Sequence, residues 1–252
     1  MMYEPEIVCQ DVMDCLVPLE GKVDLLFADP PYNIGVRMGH QKTDIVPNYE
    51  EWTSSWVSAA ASALRPGGSL WIACAQDWLR LFLNVVAADQ SLEWRNLVVW
   101  HRQTPNYGAK RRLSQMWEPL IYCVRVGAAP AFNLGDVLVN SRQAGRKTDR
   151  WMKTNADVVA STKNPTDVWE ISSAFHSRRQ YQGFKGQKPE ALLERVVLLS
   201  SNPGDLVVDP FLGSGTTAAV AKALGRRFVG CDIDDQCVAG SKRRCRAVGI
   251  TL

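Results

Sequence analysis

Residues 204–234 read GDLVVDPFLGSGTTAAVAKALGRRFVGCDID. The pattern predicts a strand ending at Asp209, a glycine turn, an alanine-rich helix and a second strand ending at Asp232. Glycines 213 and 215 would let the backbone approach a ligand closely, and a helix N-terminus favours negative groups. Asp232 comes 17 residues after Gly215, where an acid often binds ribose hydroxyls. The stretch therefore predicts a βαβ unit that binds an adenosine-containing cofactor.

Two other interpretations of this stretch remain open. A glycine turn can simply hold a buried helix cap, and a dinucleotide site uses a similar pattern. Dinucleotide units usually come early in their domain, whereas this unit comes last in the chain. The hydroxyls of Ser214, Thr216 and Thr217 also suit a carboxylate or an ammonium-bearing tail better than a pyrophosphate.

A second motif ends another predicted strand. Residues 23–33 read VDLLFADPPYN, and the apolar run stops at two prolines that cannot donate hydrogen bonds within a sheet. Asp29 and Tyr32 thus flank a rigid turn. Taken separately, Asp29 could be a turn carboxylate and Tyr32 a core aromatic, but neither alternative explains why this motif accompanies the glycine unit.

Apolar runs alternate with helical patterns along the rest of the chain, which implies an α/β fold with a parallel sheet and helices on both faces. Residues 127–186 lose this rhythm and predict a small target-recognition insertion, so residues 1–126 and 187–252 would form the main domain. Ligands of such sheets bind at the carboxyl ends of strands. If the strands before Asp29 and Asp209 are neighbours, the two motifs face each other.

The other predicted strands are Glu6–Gln10, Ser69–Ala75, Leu92–His101 and Trp117–Val126. The other predicted helices are Glu51–Leu64, Asp77–Ala88, Pro189–Ser201 and Gln236–Ala247.

The composition narrows the function classes. The chain has 252 residues, of which 46% are apolar, and a net charge of +3. These values suit one sizeable domain and do not by themselves indicate a nucleic-acid partner. Basic residues are unevenly placed, since residues 127–186 carry nine Lys/Arg against five Asp/Glu, whereas residues 1–60 carry three against ten. We therefore expect a polarised surface.

Cysteine and histidine usage argues against a metal site. The seven cysteines are scattered without a C-x-x-C pair, and there are only three histidines. An odd number of thiols is typical of a reduced, cytoplasmic protein. The acidic start of the chain predicts no signal peptide, and no apolar run approaches the roughly 18 residues of a membrane span. We expect no membrane partner.

Five segments, in one order, resemble the amino-methyltransferases of DNA that use S-adenosyl-L-methionine. The order, with the catalytic motif first and the cofactor glycines last, is similar to the beta class, whose sheet is a circular rearrangement of the class I methyltransferase sheet. The resemblance implies a Rossmann-like, mostly parallel sheet, S-adenosyl-L-methionine as cofactor and double-stranded DNA as substrate. The five segments are DPPYN (29–33), NPTDVWEI (164–171), GQKPEALLERVV (186–197), DPFLGSGTT (209–217) and GRRFVGCDID (225–234).

The resemblance also implies catalytic roles for Asp29, Pro30, Pro31 and Tyr32. An exocyclic amine is a poor nucleophile because its lone pair is delocalised into the ring. Asp29 and the Pro30 carbonyl would each accept one amine N–H and thereby localise that lone pair. Tyr32 would offer a face to a base flipped out of the duplex.

For the cofactor, the resemblance implies a methionine end near the glycine turn and an adenine near Asp11. Lys188 would pair with the cofactor carboxylate, or is an ordinary lysine at a helix start. Residues 184–186 read Phe-Lys-Gly where the family often has His-Pro-Thr, which leaves the local contacts open. The candidate cofactor residues are Asp11, Lys188, Asp209, Phe211, Gly213, Ser214, Gly215, Thr216, Thr217 and Asp232.

Lysines and arginines of the basic segments are the candidates for DNA contact, mainly with phosphates. They are Arg37, Lys42, Arg102, Lys110, Arg111, Arg112, Arg146, Lys147, Arg178 and Arg179.

The choice of base stays a prediction. The absence of a Pro-Cys dipeptide argues against cytosine C5 chemistry, and Asp rather than Ser at position 29 favours adenine N6 over cytosine N4. More distant alternatives are a nucleotide-dependent oxidoreductase and a non-catalytic nucleic-acid binder. The sequence leaves open a homodimer and a cognate restriction endonuclease as partners.

Overall fold

The computed structural model describes residues 4–36, 43–106, 111, 113–140, 162–174, 184 and 186–248. The strands are β1 (Glu6–Cys9), β2 (Val23–Ala28), β3 (Leu64–Ala73), β4 (Leu92–Asn106), β5 (Gln115–Arg125), β6 (Val139–Asn140), β7 (Thr162–Lys163), β8 (Val168–Glu170), β9 (Leu206–Asp209) and β10 (Arg227–Asp232). The helices are α1 (Val12–Leu16), α2 (Tyr49–Ala63), α3 (Leu79–Ala88), α4 (Glu190–Ser200), α5 (Thr216–Ala223) and α6 (Asp235–Ala247).

One eight-stranded sheet organises the molecule, in the order β1-β10-β9-β2-β3-β5-β4-β8. Its first five strands run parallel to one another, and β5 is antiparallel to both of its neighbours. β1 lies beside β10, as expected of a circularly rearranged sheet. The predicted α/β, mostly parallel architecture is confirmed.

Helices cover both faces of this sheet because side chains of successive strand residues point to opposite sides. In β2, Leu26 and Ala28 pack with residues of α1, α2 and α3, whereas Leu25 and Phe27 pack with residues of α4, α5 and α6. All four of these β2 side chains are fully buried. Burying one Leu or Phe side chain contributes roughly 1.5–3 kcal/mol, so the central strand is fixed from both sides.

The sequence prediction ends a helix at Leu64 and begins a strand at Ser69, which leaves Arg-Pro-Gly-Gly at 65–68 between the two elements. Instead β3 already begins at Leu64, and the segment forms a bulge in which the β2–β3 register moves from Val23 opposite Leu64 to Leu25 opposite Ser69. Gly67 has φ +76°, and a Cβ there would lie 2.6 Å from the Ala129 carbonyl oxygen. A bulge accommodates proline and glycine that a regular strand would exclude.

Two other boundaries differ from the sequence prediction. The region between the predicted strands Leu92–His101 and Trp117–Val126 begins as strand, because β4 continues to Asn106 and pairs there with Gln115 of β5. Within the expected insertion, β8 pairs with β4 in the main sheet, and Trp169 of β8 is buried in the main core. The described parts of 127–186 therefore share the core of the main domain, and a target-recognition role for 127–186 stays a prediction.

In the part of the chain that the structure describes, no helix has the length and apolar character needed to cross a membrane.

Candidate active site

The site lies where β2 and β9 end side by side. Leu25 is opposite Val207 and Leu26 opposite Val208 in this parallel pair, so the residues that follow both strands meet at one edge of the sheet. They line a cleft of about 290 Å³. The lining includes twelve sequence-predicted residues, namely Asp11, Asp29, Pro30, Pro31, Lys188, Asp209, Phe211, Gly213, Ser214, Thr216, Thr217 and Asp232.

On the β9 side, the carboxylate of Asp209 is bound by its own loop. The Thr217 hydroxyl donates to Oδ2 at 2.6 Å, and the Phe211 amide donates to Oδ1 at 3.0 Å. Burial raises the pKa of Asp209 to about 7, although both hydrogen bonds lower it. Asp209 therefore ties the turn to the start of α5.

The glycine turn depends on backbone conformations that other residues rarely adopt. Gly213 has φ +49° and Gly215 has φ +71°. A Cβ at Gly215 would lie 2.5 Å from the Ser241 hydroxyl oxygen and 2.9 Å from its Cα. The turn can therefore approach α6 this closely only because residue 215 has no side chain.

All three predicted carboxylate-binding hydroxyls already have hydrogen-bond partners within the protein. Thr217 donates to Asp209, and Thr216 donates to the Lys188 carbonyl at 3.1 Å while accepting a 2.9 Å hydrogen bond from Arg244. Ser214 lies 3.1 Å from the Thr216 hydroxyl. These contacts hold α5 against the segment that leads into α4.

At the end of β10, Asp232 closes the cleft. Its Oδ2 accepts from the Gly213 amide at 2.8 Å and its Oδ1 from the Asp234 amide at 2.9 Å. Burial raises the pKa of Asp232, while these amide bonds oppose that shift. Each carboxylate oxygen has more than one lone pair, so Asp232 can still accept from a ligand hydroxyl.

Asp11 lies on the same side of the cleft but also has a structural role. Its Oδ1 accepts from the Met13 amide at 2.8 Å and caps the N-terminus of α1. Asp11, which the family resemblance places next to the adenine, therefore also orders the helix that follows β1.

On the β2 side, neighbouring elements fix the loop that follows Asp29. The Tyr49 hydroxyl donates to the Pro31 carbonyl at 2.7 Å, and the Asn33 side chain accepts from the Val46 amide at 3.0 Å. Asn33 has φ +51°. Among the described residues, no donor is bonded to the Pro30 carbonyl, which leaves that oxygen available to a substrate N–H.

A buried charge cluster stands behind this loop. The Lys188 ammonium lies 2.8 Å from Asp29 Oδ1, 3.4 Å from Glu118 Oε2 and 3.0 Å from the Tyr32 hydroxyl. The Tyr32 hydroxyl donates to Glu118 Oε2 at 2.9 Å. Arg102 completes the cluster with a 3.0 Å ion pair to Glu118 Oε1. Two carboxylates thus face two cations.

Burial and charge oppose each other in this cluster. Burial raises the pKa of Asp29, and the charge of Lys188 lowers it. Burial disfavours the ammonium of Lys188, yet Asp29 and Glu118 together raise its pKa. Burial and both carboxylates raise the pKa of Tyr32 far above its usual range. Tyr32 is therefore a neutral hydroxyl and Lys188 a cation near neutral pH.

The structure gives Lys188 partners that the sequence prediction did not include. Lys188 lines the cleft, but its ammonium contacts Asp29 rather than lying apart as a ready partner for a cofactor carboxylate. The role predicted from the family resemblance stays a prediction.

The candidate DNA-binding residues can be placed only in part. Arg102 is bound to Glu118 and to the Gln115 carbonyl, with 19% of its side chain exposed. Arg111 is exposed. The other candidates, namely Arg37, Lys42, Lys110, Arg112, Arg146, Lys147, Arg178 and Arg179, lie outside the described residues.

Sequence reasoning did not identify several residues of the site. Trp52 lines the cleft with its ring centroid 5.7 Å from that of Phe211. Asp44 is buried and accepts from the Ile34 and Val36 amides. Glu118 is the residue whose position could have indicated its role, since a lone acid within an otherwise apolar strand requires a buried partner.

These residues fit S-adenosyl-L-methionine. Asp232 can accept ribose hydroxyls, and the ring of Phe211 lies close to Trp52 beside the glycine turn. Asp29 lines the cleft with its Oδ1 paired to Lys188, and among the described residues no donor binds its Oδ2. A ligand amine can supply that missing donor.

Comparison with known families places the chain among DNA methylases. A profile of the N6/N4 DNA methylase family matches residues 23–243. The chain is 32% identical over 233 residues to "DNA adenine methyltransferase YhdJ" of Escherichia coli K12, covering 90% of this chain and 77% of that protein. It is 28% identical to "Type II methyltransferase M.HpaI" of Haemophilus parainfluenzae, covering 96% and 74% respectively.

Solved structures share the fold at lower identity. The cytosine-N4-specific PvuII DNA methyltransferase superimposes with a TM-score of 0.73 at 18% identity, covering 99% of this chain and 89% of that chain. The complex of M1.HpyAVI with SAM superimposes with a TM-score of 0.66 at 21% identity, covering 95% and 98%.

Proposed function

Given that the chain belongs to the N6/N4 DNA methylase family, we propose that it methylates the exocyclic N6 of adenine in double-stranded DNA, with the target base flipped out of the helix. The observation that carries the proposal is the parallel pairing of β2 with β9. This pairing puts Asp29 and the glycine turn in one cleft.

Two observations support adenine over cytosine. Residue 29 is Asp rather than Ser. The relative named an adenine methyltransferase shares 32% of its residues with this chain over most of its length, whereas the cytosine-N4 enzyme shares 18%. That second likeness supports the fold and says little about the base.

We propose that S-adenosyl-L-methionine supplies an electrophilic methyl group when it is bound in the cleft beside the glycine turn and Asp232. Asp232 accepts ribose hydroxyls, Asp11 lies towards the adenine, and the backbone at Gly213 and Gly215 lets the turn approach the methionine end. Phe211 closes the wall between the two strand ends.

On the opposite wall, Asp29 and the Pro30 carbonyl accept the two N–H groups of the target amine. These two acceptors favour a pyramidal nitrogen with a localised lone pair, and that geometry is closer to the transition state than to the ground state. Pro30 and Pro31 fix the backbone, and Tyr49 holds the Pro31 carbonyl. The Tyr32 ring offers a surface on which the base can stack.

The DNA-side roles are proposals as well. We assign phosphate contacts to exposed Arg111 and to the candidate basic residues outside the described ranges, and target recognition to 127–186. Arg102 is already paired with Glu118, so we expect it to order the β4–β5 hairpin rather than contact a phosphate.

The test is methyl transfer itself. Purified protein is incubated with methyl-labelled S-adenosyl-L-methionine and duplex DNA, which is then digested to nucleosides and analysed by mass spectrometry. We expect N6-methyladenine in the wild-type reaction and background levels with Asp29→Asn. N4-methylcytosine instead would overturn the choice of base, and unmodified DNA the function. Calorimetry adds a second test, since binding of NAD without binding of S-adenosyl-L-methionine would favour an oxidoreductase.

Two finer predictions about partners can be tested with the same material. Sedimentation of the protein with and without DNA tests a homodimer. The relative M.HpaI is named a type II methyltransferase, and by analogy we propose a cognate endonuclease that cuts the same site. Sequencing modified bases in DNA from an expressing cell gives the site, and cleavage of only the unmodified site tests that nuclease.

A further inference from the structure

The buried cluster behind Asp29 contains more charged groups than the two acceptors of the target amine require. Lys188, in the segment that leads into α4, pairs both with Asp29 and with Glu118 of β5. Lys188 and Glu118 are both far from β2 in sequence. Their side chains are 8% and 15% exposed, and that of Asp29 is 19% exposed. Charged side chains this buried do not serve to keep the protein in solution, so their charges act within the site.

We propose that Lys188 is a positioning residue that, balanced by Glu118, keeps the Asp29 carboxylate ionised and oriented for the target amine. The inference rests on the proposed function. It adds two residues to the reaction, neither of which is expected to touch the substrate.

The geometry supports this assignment in two ways. The Lys188 ammonium lies 2.8 Å from Asp29 Oδ1, an atom buried from solvent, and this contact orients the carboxylate. Among the described residues no donor binds Asp29 Oδ2, so that oxygen can accept a hydrogen bond from the substrate while Lys188 supplies charge. Lys188 is itself held by the Tyr32 hydroxyl at 3.0 Å and by the ring of Trp100 at 5.9 Å.

Glu118 prevents Lys188 from acting on Asp29 alone. It shares the ammonium with Asp29 at 3.4 Å and is itself paired with Arg102. Removing Glu118 would leave Lys188 to Asp29 and would also remove a like charge. The structure therefore predicts opposite effects for Lys188 and Glu118 on the same carboxylate.

Other titratable groups face Asp29, and the neutral Tyr32 hydroxyl lowers the pKa of Asp29 by hydrogen bonding. If ionised, each would add negative charge and raise the pKa of Asp29. These groups are Tyr32, Tyr49, Cys74 and Asp209. Burial raises the pKa of Cys74 to about 12 and keeps both tyrosines neutral, so Lys188 and Glu118 are the charges to vary.

The experiment measures the Asp29 carboxyl directly, without cofactor or DNA. Protein carrying 13C-labelled aspartate is titrated by NMR, and the Asp29 signal is assigned by its loss in Asp29→Asn. We expect Lys188→Met to raise the pKa of Asp29 by about 1–3 units, the size of an ion-pair effect at this distance. Glu118→Gln should lower that pKa by less, and Lys188→Arg should stay near the wild-type value.

A matched control is available in Lys222, a second buried lysine, which is paired with Glu4 rather than with Asp29. Lys222→Met should leave the Asp29 titration unchanged. An unchanged titration in folded Lys188→Met, or shifts of the same sign in Lys188→Met and Glu118→Gln, would overturn the proposal. If Lys188→Met does not fold, Glu118→Gln decides, and an unchanged or raised pKa there overturns it.

The pH profile of single-turnover methylation links the charge effect to the reaction. Its acid limb should move to higher pH in Lys188→Met and to lower pH in Glu118→Gln. A wild-type protein without methyl transfer would refute the proposed function, whereas the NMR titration tests the charge cluster independently. Active wild type with an unshifted acid limb in both variants would refute the inference alone.

Discussion

The two carboxylates at the ends of β2 and β9 are alike in sequence context and differ in how they are bound. Each follows an apolar strand and precedes a proline. Asp209 is bound by Phe211 and Thr217, within eight residues of itself. Asp29 is paired with Lys188, more than 150 residues along the chain.

The difference separates a structural carboxylate from a reactive one. Asp209 accepts its two hydrogen bonds from its own loop. Asp29 is paired at Oδ1 with Lys188, and among the described residues no donor binds its Oδ2. The charge partner of Asp29 therefore comes from elsewhere in the fold.

The largest expected effect is on turnover at the Asp29 end. Asp29→Asn keeps the side-chain shape and removes the charge, so methyl transfer should fall by roughly 10²–10³-fold, as for loss of one preorganised polar group. Cofactor affinity measured by calorimetry should stay close to wild type. Asp24→Asn is the matched control, since Asp24 lies on the same strand outside the cleft lining and binds Arg65 and the Leu206 amide. Near-normal turnover in Asp29→Asn would contradict the assignment of a reactive role to Asp29 and a structural role to Asp209.

At Asp232, on the side of the cleft proposed to bind the cofactor, a substitution should lower cofactor affinity more than turnover. Asp232→Ala is expected to weaken S-adenosyl-L-methionine binding by about 1.5–3 kcal/mol, the size of a lost hydrogen bond to a charged group. Single-turnover methylation at saturating cofactor should change less. Asp235→Ala, in the first turn of α6, provides the control. Equal affinities for Asp232→Ala and the control would contradict the ribose assignment.

A third comparison tests the hydrogen bond that Thr217 donates to Asp209. Thr217→Val deletes the hydroxyl that donates to Asp209 and leaves a buried acceptor unpaired, so the free energy of unfolding should fall by about 1–3 kcal/mol. Thr217→Ser retains the hydroxyl and should lose less stability. Urea unfolding of both variants gives the measurement, and equal losses would show that the hydroxyl is unimportant.

The smallest expected effect is a pH dependence of stability. The pKa of Asp209 is about 7 in the folded protein and about 3.9 in an unfolded chain. Between these values the folded state holds a proton that the unfolded state has released, so the free energy of unfolding falls as pH rises. Asp209→Asn removes this contribution. The difference in the free energy of unfolding between wild type and Asp209→Asn should change by on the order of 1 kcal/mol per pH unit between pH 5 and 7. Urea titrations give this difference, and parallel pH profiles for the two proteins would contradict the raised pKa of Asp209.

The contrast between the Asp209 and Asp29 sites also explains which features the sequence could predict. The Asp209 site could be recognised because every contact that defines it lies within residues 209–217 or at the end of the next strand. The α/β architecture followed from patterns of similar range, because local patterns report neighbours in the chain. The approach of β2 to β9 joins residues as far apart as Leu25 and Val207, and the sequence offered it only as a condition under which the two motifs would meet.

The Asp29 site could be recognised only in part. The motif DPPY marks its position, but the contacts of Lys188 and Glu118 depend on how α4 and β5 approach the sheet. The family resemblance predicted that Lys188 pairs with the cofactor carboxylate. Its position within Gln-Lys-Pro does not indicate which carboxylate it reaches in the fold. The bulge at 65–68 was missed for a similar reason, because the close approach of Ala129 to Gly67 is a tertiary contact.

The position of β1 beside β10 has a consequence for how the protein is made. Glu6 pairs with Val229, about 220 residues later in the chain, so β1 leaves the ribosome long before its partner exists. Pairings of such long range form slowly. The final closure of this sheet edge must therefore wait for the C-terminal segment, and during synthesis the start of the chain has no native strand to join.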